Sequence, residues 1–474
     1  MTSVPQFIDR LRGCYVRSPR WLRRAAGRVL SAIPYNLRYG STYRSLCIQI
    51  LQSQSDAEFV RNYQVEQLRA VISSCWKGSQ FYRNVIETSF GCPPVFAEIN
   101  LADLARMPVL TKAQVRENAA DLVVASFNRV ELATTSGSSG EPLEFYLDKD
   151  RSVKEWAFIH HLWSRIGYKA DDRRAVLRGV HIKDADTRPW EYDAALRELR
   201  LSPFHLVPEV MDTYLDLLVA YKIGFIHGYP SAISILASHA IRRCWVPPST
   251  LIGVLPVSEH LLPYQRDLIK KAFKHVRVMP FYGLSEKVAI AGELPEEADI
   301  YEFEPLYGLT ELVDDHGMQV VRSGHRGRIV STGFLSKGMP LLRYDTGDTA
   351  ELVFLPSKSN CYRLRVRGIR SRWGQELVVG RNGALISMTA INVHSAAYTK
   401  IQAFQLYQDK PGEVAVRVVP IQGVSVDDLL PFVQEIQRKV GSTITFHLEL
   451  TPELPTNARG KRRFIDQKLD LQLP

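Results

Sequence analysis

Residues 211–281 alternate short apolar runs with helix-length amphipathic stretches, and this alternation constrains the fold more than any other feature. A helix fits about 211–222, followed by GFIHGYPS, an apolar run that enters a turn. A second helix fits 230–243, and the strand-like LIGVLPV follows at 251–257. A third fits 261–274, with Leu262, Leu268, Ile269 and Phe273 as its buried face, and VRVMPF then reads as a strand at 276–281. Strands alternating with helices predict a parallel sheet covered on both faces. Such open sheets take ligands at the carboxyl ends of their strands. The polar turns HGYPS, SEH and YGLSE each follow a strand, so all three should line one cleft.

The rest of the chain is organised around this block. Residues 45–125 read as mostly helical, with Phe59, Tyr63, Leu68 and Val71 at roughly helical spacing. YRLRVRG at 362–368 alternates like a half-exposed strand. Beyond it a compact α/β pattern begins. Strands fit 402–408, 413–419 and 443–450, and a helix fits 426–440 with Leu429, Val433, Ile436 and Val440 on one face. Ser425 and Asp428 suit a capping box, and Gly441 a helix stop. The expected fold is α/β: a large N-terminal domain with doubly wound parallel-sheet layers, and a small C-terminal α/β domain. The divisions are a basic helical segment at 1–100, the large domain at 101–368 and the small domain at 369–474.

With 474 residues the chain has room for two or three domains. No run of eighteen apolar residues predicts a membrane span, and the N-terminus lacks the apolar core of an export signal. Six cysteines are scattered without CxxC pairing or zinc spacing, as expected of reduced thiols in a cytoplasmic protein. The net charge of +10 is concentrated in part at residues 1–44, which hold nine arginines and one acid, Asp9. That segment reads either as a basic cap helix packed on the protein or as a peripheral contact with the inner face of an anionic membrane. No nucleic-acid reading motif accompanies the charge, so a nucleic-acid partner is not expected.

Four segments carry chemistry. Thr134-Thr135-Ser136-Gly137-Ser138-Ser139-Gly140-Glu141-Pro142 lies between an apolar run and the strand-like LEFYL. Its glycines let several N–H groups converge on an anion, which makes it a phosphate cradle by chemistry, though any Ser/Gly turn shares that composition. It is not a Walker loop. Phe281-Tyr282-Gly283-Leu284-Ser285-Glu286 offers a ring to stack on a base, a glycine for close approach and a carboxylate for magnesium. Arg343-Tyr344-Asp345-Thr346-Gly347-Asp348 places an acid after a tight turn, where it could accept from ribose hydroxyls or simply close an Asx turn. Leu454-Pro455-Thr456-Asn457-Ala458-Arg459-Gly460-Lys461 ends on a lysine in a glycine-bearing loop, and a solvated basic tail would look the same.

In this order the four segments resemble the adenylate-forming superfamily of acyl-CoA synthetases, peptide-synthetase adenylation domains and luciferases. PVLTKAQVREN at 108–118, HGYPSAISILA at 227–237 and PVSEHLLPYQRDLI at 256–269 look most like its phenylacetate–CoA ligase-like branch. That branch includes CapK-type proteins of capsular polysaccharide biosynthesis. The resemblance implies an AMP-forming acid ligase using ATP, magnesium and coenzyme A. Thr135, Ser136, Gly137, Ser138, Ser139 and Gly140 would grip the β- and γ-phosphates. Tyr282 and Gly283 would flank the adenine, Ser285 the α-phosphate, and Glu286 would hold magnesium. Asp348 would take the ribose, with Arg372 as the usual hinge arginine. Lys461 would reach from a mobile small domain to the acyl carboxylate. His227, Tyr229, Pro230, Ser258 and Glu259 would form or border the acyl pocket, although His227 could equally be a structural histidine.

Three departures from the family pattern stand out. The hinge reads Ser371-Arg372-Trp373-Gly374-Gln375 without the usual acids, Glu141 replaces a common lysine, and Asp345 replaces an arginine. They leave open an acceptor other than coenzyme A, such as a sugar amine or hydroxyl or a carrier protein. They also leave open a non-catalytic nucleotide-binding assembly protein.

Overall fold

The computed structural model describes residues 38–135, 143–180, 182–371, 376–392, 396–455 and 464–471. Helices α1 (Gly40–Gln52), α2 (Ala57–Gly78) and α3 (Gln80–Phe90) come first. The buried face of α2 is Val60, Gln64, Leu68, Val71, Ile72 and Cys75, so Phe59 and Tyr63 flank that face rather than centre it. A capping box of Thr111 and Gln114 starts the short α4 (Lys112–Glu117). Strands β1 (Val130–Thr135) and β2 (Leu143–Asp148) pair antiparallel, with Thr135 opposite Leu143, so the Ser/Gly segment joins the two arms of a hairpin. Helix α5 (Arg151–Ser164) follows.

The alternating block forms the expected sheet. Strands β3 (Arg174–Leu177), β4 (Trp190–Asp193) and β5 (Glu198–Leu201) precede α6 (Pro208–Ala220), β6 (Phe225–Gly228), α7 (Pro230–Arg242), β7 (Gly253–Pro256), α8 (Pro263–Phe273) and β8 (Arg277–Val278). The order is β4-β5-β3-β6-β7-β8, parallel except for β4 at one edge. On α8 the buried residues are Gln265, Ile269, Ala272 and Phe273, while Leu262 caps the helix and Leu268 is only half-buried. The anticipated strand at 276–281 is interrupted at Met279-Pro280. Proline has no N–H for a ladder, and the chain resumes as β9 (Phe281–Gly283) in a different sheet.

That second sheet contains β9, β10 (Ile290–Leu294), β11 (Glu297–Phe303), β12 (Gly308–Val313), β13 (Arg326–Gly333), β14 (Tyr344–Phe354) and β15 (Arg365–Arg370). Its order is β12-β13-β14-β15-β11-β10-β9. Strand β15 begins three residues later than the alternation at 362–368 suggests, because Cys361 and Tyr362 take positive φ values of 48° and 56°. Beyond residue 376 lie the hairpin β16 (Leu377–Val379) and β17 (Leu385–Ser387), the single turn α9 (Met388–Ile391), β18 (Ile401–Lys410), β19 (Glu413–Pro420), α10 (Val426–Val440), β20 (Thr445–Leu450) and β21 (Ile465–Gln467). Ser425 and Asp428 form the capping box of α10, and Gly441 ends it at φ 77°. Leu429, Phe432, Val433, Ile436 and Val440 are buried there, in a core shared with the apolar residues of the β3–β8 sheet. Among the described residues, no helix is long and apolar enough to cross a membrane.

Candidate active site

One cavity of about 680 Å³ collects most of those residues singled out from the sequence that the structure describes. The carboxyl ends of three adjacent parallel strands open onto it. Strand β3 delivers Arg178 and Gly179, β6 delivers His227 and Tyr229, and β7 delivers Val257 to His260. Strand β9 and the turn after it add Tyr282, Gly283, Ser285 and Glu286. All three polar turns therefore border one cleft. Pro230 does not line it: it is the buried first residue of α7, where a fixed φ and a missing N–H suit a helix start.

Strand period explains how β14 contributes. Tyr344, Thr346 and Asp348 lie two residues apart, so they share the buried face of the strand. Gly347 between them sits at φ 79°, beside a register shift in the β13–β14 ladder, a conformation that favours glycine. The Tyr344 hydroxyl donates to Glu286 Oε1 at 2.7 Å, and the Tyr282 hydroxyl donates to Asp348 Oδ2 at 2.8 Å. Burial, then the nearby carboxylates, holds both phenols well above their ordinary pKa, so they remain donors. Lys112 Nζ lies 3.9 Å from Glu286 Oε1. Together these contacts leave one edge of the Glu286 carboxylate for a further cation. Among the described residues no cluster of three metal-ligating side chains occurs. One carboxylate beside a bound triphosphate is nevertheless a usual magnesium arrangement, and Glu286 fits it. Gly283 has room: an added Cβ would be 3.5 Å from the Phe281 ring, an ordinary contact.

The other end of the cavity is a polar pocket with aromatic walls. His227 is 3% exposed, and neither ring nitrogen has a hydrogen-bond partner. Its ring meets Trp163 edge-on at 4.8 Å, and Trp156 lines the same wall. Burial, then Arg178 and Arg174, lowers its pKa well below the ordinary value, so the imidazole is neutral. Tyr229 is tied down by its hydroxyl, which accepts the Gly179 N–H at 3.2 Å. Ser258 has a φ of 66°, strain for a residue with a Cβ, where the chain turns at the cavity. Glu259 accepts the Ser231 N–H at 3.0 Å, and burial raises its pKa. Ser387 and Thr389, from beyond residue 376, face the same carboxylate.

Sequence reasoning missed several cavity residues. Lys112, Arg178, Lys439 and the pair formed by Lys287 and Glu155 (2.8 Å) all line the wall. None carries a spacing signal that separates it from a surface charge. Asp345, where the family pattern has an arginine, pairs with Arg328, and Arg343 pairs with Glu311 at 2.7 Å. Ser136, Gly137, Ser138, Ser139, Gly140, Glu141, Arg372 and Lys461 lie outside the described residues, as do the Thr135 side chain and residues 1–37.

Residues 378–468 match the family model of the CapK C-terminal domain. Protein CapK of Staphylococcus aureus is 24% identical over 422 residues, which span 88% of this chain and 90% of that protein. The phenylacetate–coenzyme A ligase of Thermus thermophilus is 23% identical over 361 residues, 74% of this chain and 76% of its own. The chain is thus similar along most of its length to CapK and, over about three quarters of it, to phenylacetate–CoA ligase. The chain also shares its fold with 2-hydroxyisobutyryl-CoA ligase. The crystal structure of that ligase in the postadenylation state matches at a TM-score of 0.54 and 20% identity, covering 88% of this chain and 91% of the other. Its thioesterification-state structure with coenzyme A matches at 0.54, covering 88% and 92%.

Proposed function

We propose that the chain activates a carboxylic acid with ATP and then transfers the acyl group to coenzyme A. The observation that carries this reading is the convergence of Tyr282, Asp348 and Glu286 at one end of a cavity whose other end is the His227–Glu259 pocket. In the first step the acid's carboxylate oxygen attacks the α-phosphorus of ATP. The bond to the bridging oxygen breaks, and acyl-AMP and pyrophosphate form. In the second step the thiol of coenzyme A attacks the acyl carbon, releasing AMP and a proton.

Both reactants in the first step are anions, so the chain's task is to align them and neutralise charge. Tyr282 orients Asp348, which accepts from the ribose hydroxyls. Gly283 leaves room for the base to approach the backbone. Ser285 borders the α-phosphate, and the Thr135–Gly140 segment holds the terminal phosphates. Magnesium at Glu286 would offset the triphosphate's charge. Lys461 bridges the acyl carboxylate and the α-phosphate. His227, Tyr229, Ser258 and Glu259 form the acid's pocket, and its polar atoms without partners favour an acid that itself carries hydrogen-bonding groups. We place the lobe boundary at 369–376.

ATP–pyrophosphate exchange across aryl, fatty and hydroxy acids tests the first step, and thioester formation with added coenzyme A tests the second. No exchange with any acid would sink the proposal. A second reading keeps the adenylate and changes the acceptor to a sugar amine or hydroxyl, or to a carrier protein. It is favoured by the absence of acidic residues in the hinge Ser371-Arg372-Trp373-Gly374-Gln375. Exchange without thioester formation would support it.

A further inference from the structure

Two cations meet at the cavity wall where the β3–β8 sheet adjoins the C-terminal elements. Arg178 directly follows β3, and Lys439 is the penultimate residue of α10. The lysine stem runs closely over Gly179: a Cβ added there would fall 3.0 Å from Lys439 Cε and 2.9 Å from the Ala390 carbonyl oxygen. The Lys439 ammonium donates to the Asn392 carbonyl oxygen, which leaves two of its three N–H bonds. Burial, then the Arg178 charge, lowers the Lys439 pKa to about 8. The same guanidinium helps keep His227 neutral. Among the described residues, no carboxylate forms an ion pair with either side chain.

Like charges held together away from bulk water repel one another, and a protein can relieve the cost by placing an anion between them. Here the two charges come from separate parts of the fold and face a cavity with volume to spare. The ribose and magnesium side of the cavity is built by other elements, β9 and β14. We infer that Arg178 and Lys439 together hold an anionic group, a carboxylate or a phosphate, carried either by the far end of the acid or by the acyl acceptor. This rests on the adenylation reading for the identity of those two ligands. A ligand so held ties the C-terminal elements to the parallel sheet.

The test compares ligands that differ in the anion. Succinate is set against butyrate in ATP–pyrophosphate exchange, and coenzyme A against pantetheine in the acceptor step. For one of these pairs, the ratio of kcat/KM values falls about tenfold or more in R178M and K439M and recovers in K439R. A fall in the first ratio puts the anion on the acid, and a fall in the second puts it on the acceptor. Unchanged ratios in both methionine variants overturn the inference. Succinate and coenzyme A are also titrated against Tm in the wild type and all three variants, which needs no turnover. A shift with either ligand that the methionine variants lose and K439R keeps supports the pair. No shift with either ligand in the wild type overturns it, while adenylation still stands on exchange. A retained shift with no exchange overturns the adenylation reading instead.

Discussion

The Tyr282 phenol donates a 2.8 Å hydrogen bond to Asp348 Oδ2, joining the end of β9 to β14 across 66 positions of sequence. One carboxylate oxygen is thereby fixed in direction. Asp348→Ala should raise the Kd for ATP roughly ten- to a hundredfold, the usual consequence of deleting a charged hydrogen-bond acceptor. Tyr282→Phe keeps the ring and loses only the tether, so a rise of several-fold is expected. Calorimetric titration with ATP measures both. Equal affinity in wild type and Asp348→Ala would remove that aspartate from the nucleotide site.

Two glycines near the cavity should behave oppositely. At Gly228 a Cβ would lie 2.4 Å from the Leu177 carbonyl oxygen in the adjacent parallel strand, with no flexible atom to yield. Gly228→Ala should therefore destabilise the protein by about 1–3 kcal/mol, as overpacking does. At Gly283 the same methyl meets only the Phe281 ring at 3.5 Å. Gly283→Ala should fold normally and bind ATP less tightly. Denaturant titration and ATP binding, run on both variants, separate the two effects.

Lys461 lies outside the described residues, and its role is the proposal most open to a single substitution. Lys461→Ala should nearly abolish pyrophosphate exchange, by two or more powers of ten, roughly 3 kcal/mol. ATP affinity should stay within several-fold. Exchange near the wild-type rate would take that lysine out of the mechanism.

Acid should weaken the fold through its buried histidines. His160 is held neutral by burial, then by Arg174, with a pKa lowered to about 3, and His161 and His227 are also lowered. In the unfolded chain a histidine protonates near its ordinary value, so below that value the unfolded state binds more protons than the folded one. The stabilisation is present in full above about pH 6.5 and is lost as the pH falls from there toward 3. For His160 the loss at pH 5 is about 2 kcal/mol. The Tyr43 hydroxyl meets His160 Nδ1 at 2.8 Å. His160→Asn keeps a polar partner there and should flatten the fall in Tm between pH 7 and 5. An identical fall in wild type and variant would rule out this contribution.

The parallel sheet and the C-terminal lobe were readable because their signals are local. Strand–helix alternation over 211–281, the Ser425–Asp428 capping box and the apolar face of α10 depend only on near neighbours in sequence. The seven-stranded antiparallel sheet was not readable beyond β15. On β14 the inward face includes Thr346 and Asp348, so its alternation is not apolar against polar and does not register as a strand. The polar turns at His227, Ser258 and Tyr282 could be placed in one cleft because strand ends in a parallel sheet must converge. Arg178 and Lys439 could not, since nothing local tells a basic residue at a lobe junction from one in solvent.

Trp156 and Trp163 stand on the cavity wall, with their rings 5.8 Å apart and Trp163 edge-on to His227. The chain therefore carries an optical label at the place where its ligands are proposed to bind. Whatever fills that space displaces solvent from two indoles and alters the quenching by the neighbouring imidazole. Tryptophan emission in the unmodified protein should thus sort a library of unknown acids before any reaction product has been identified.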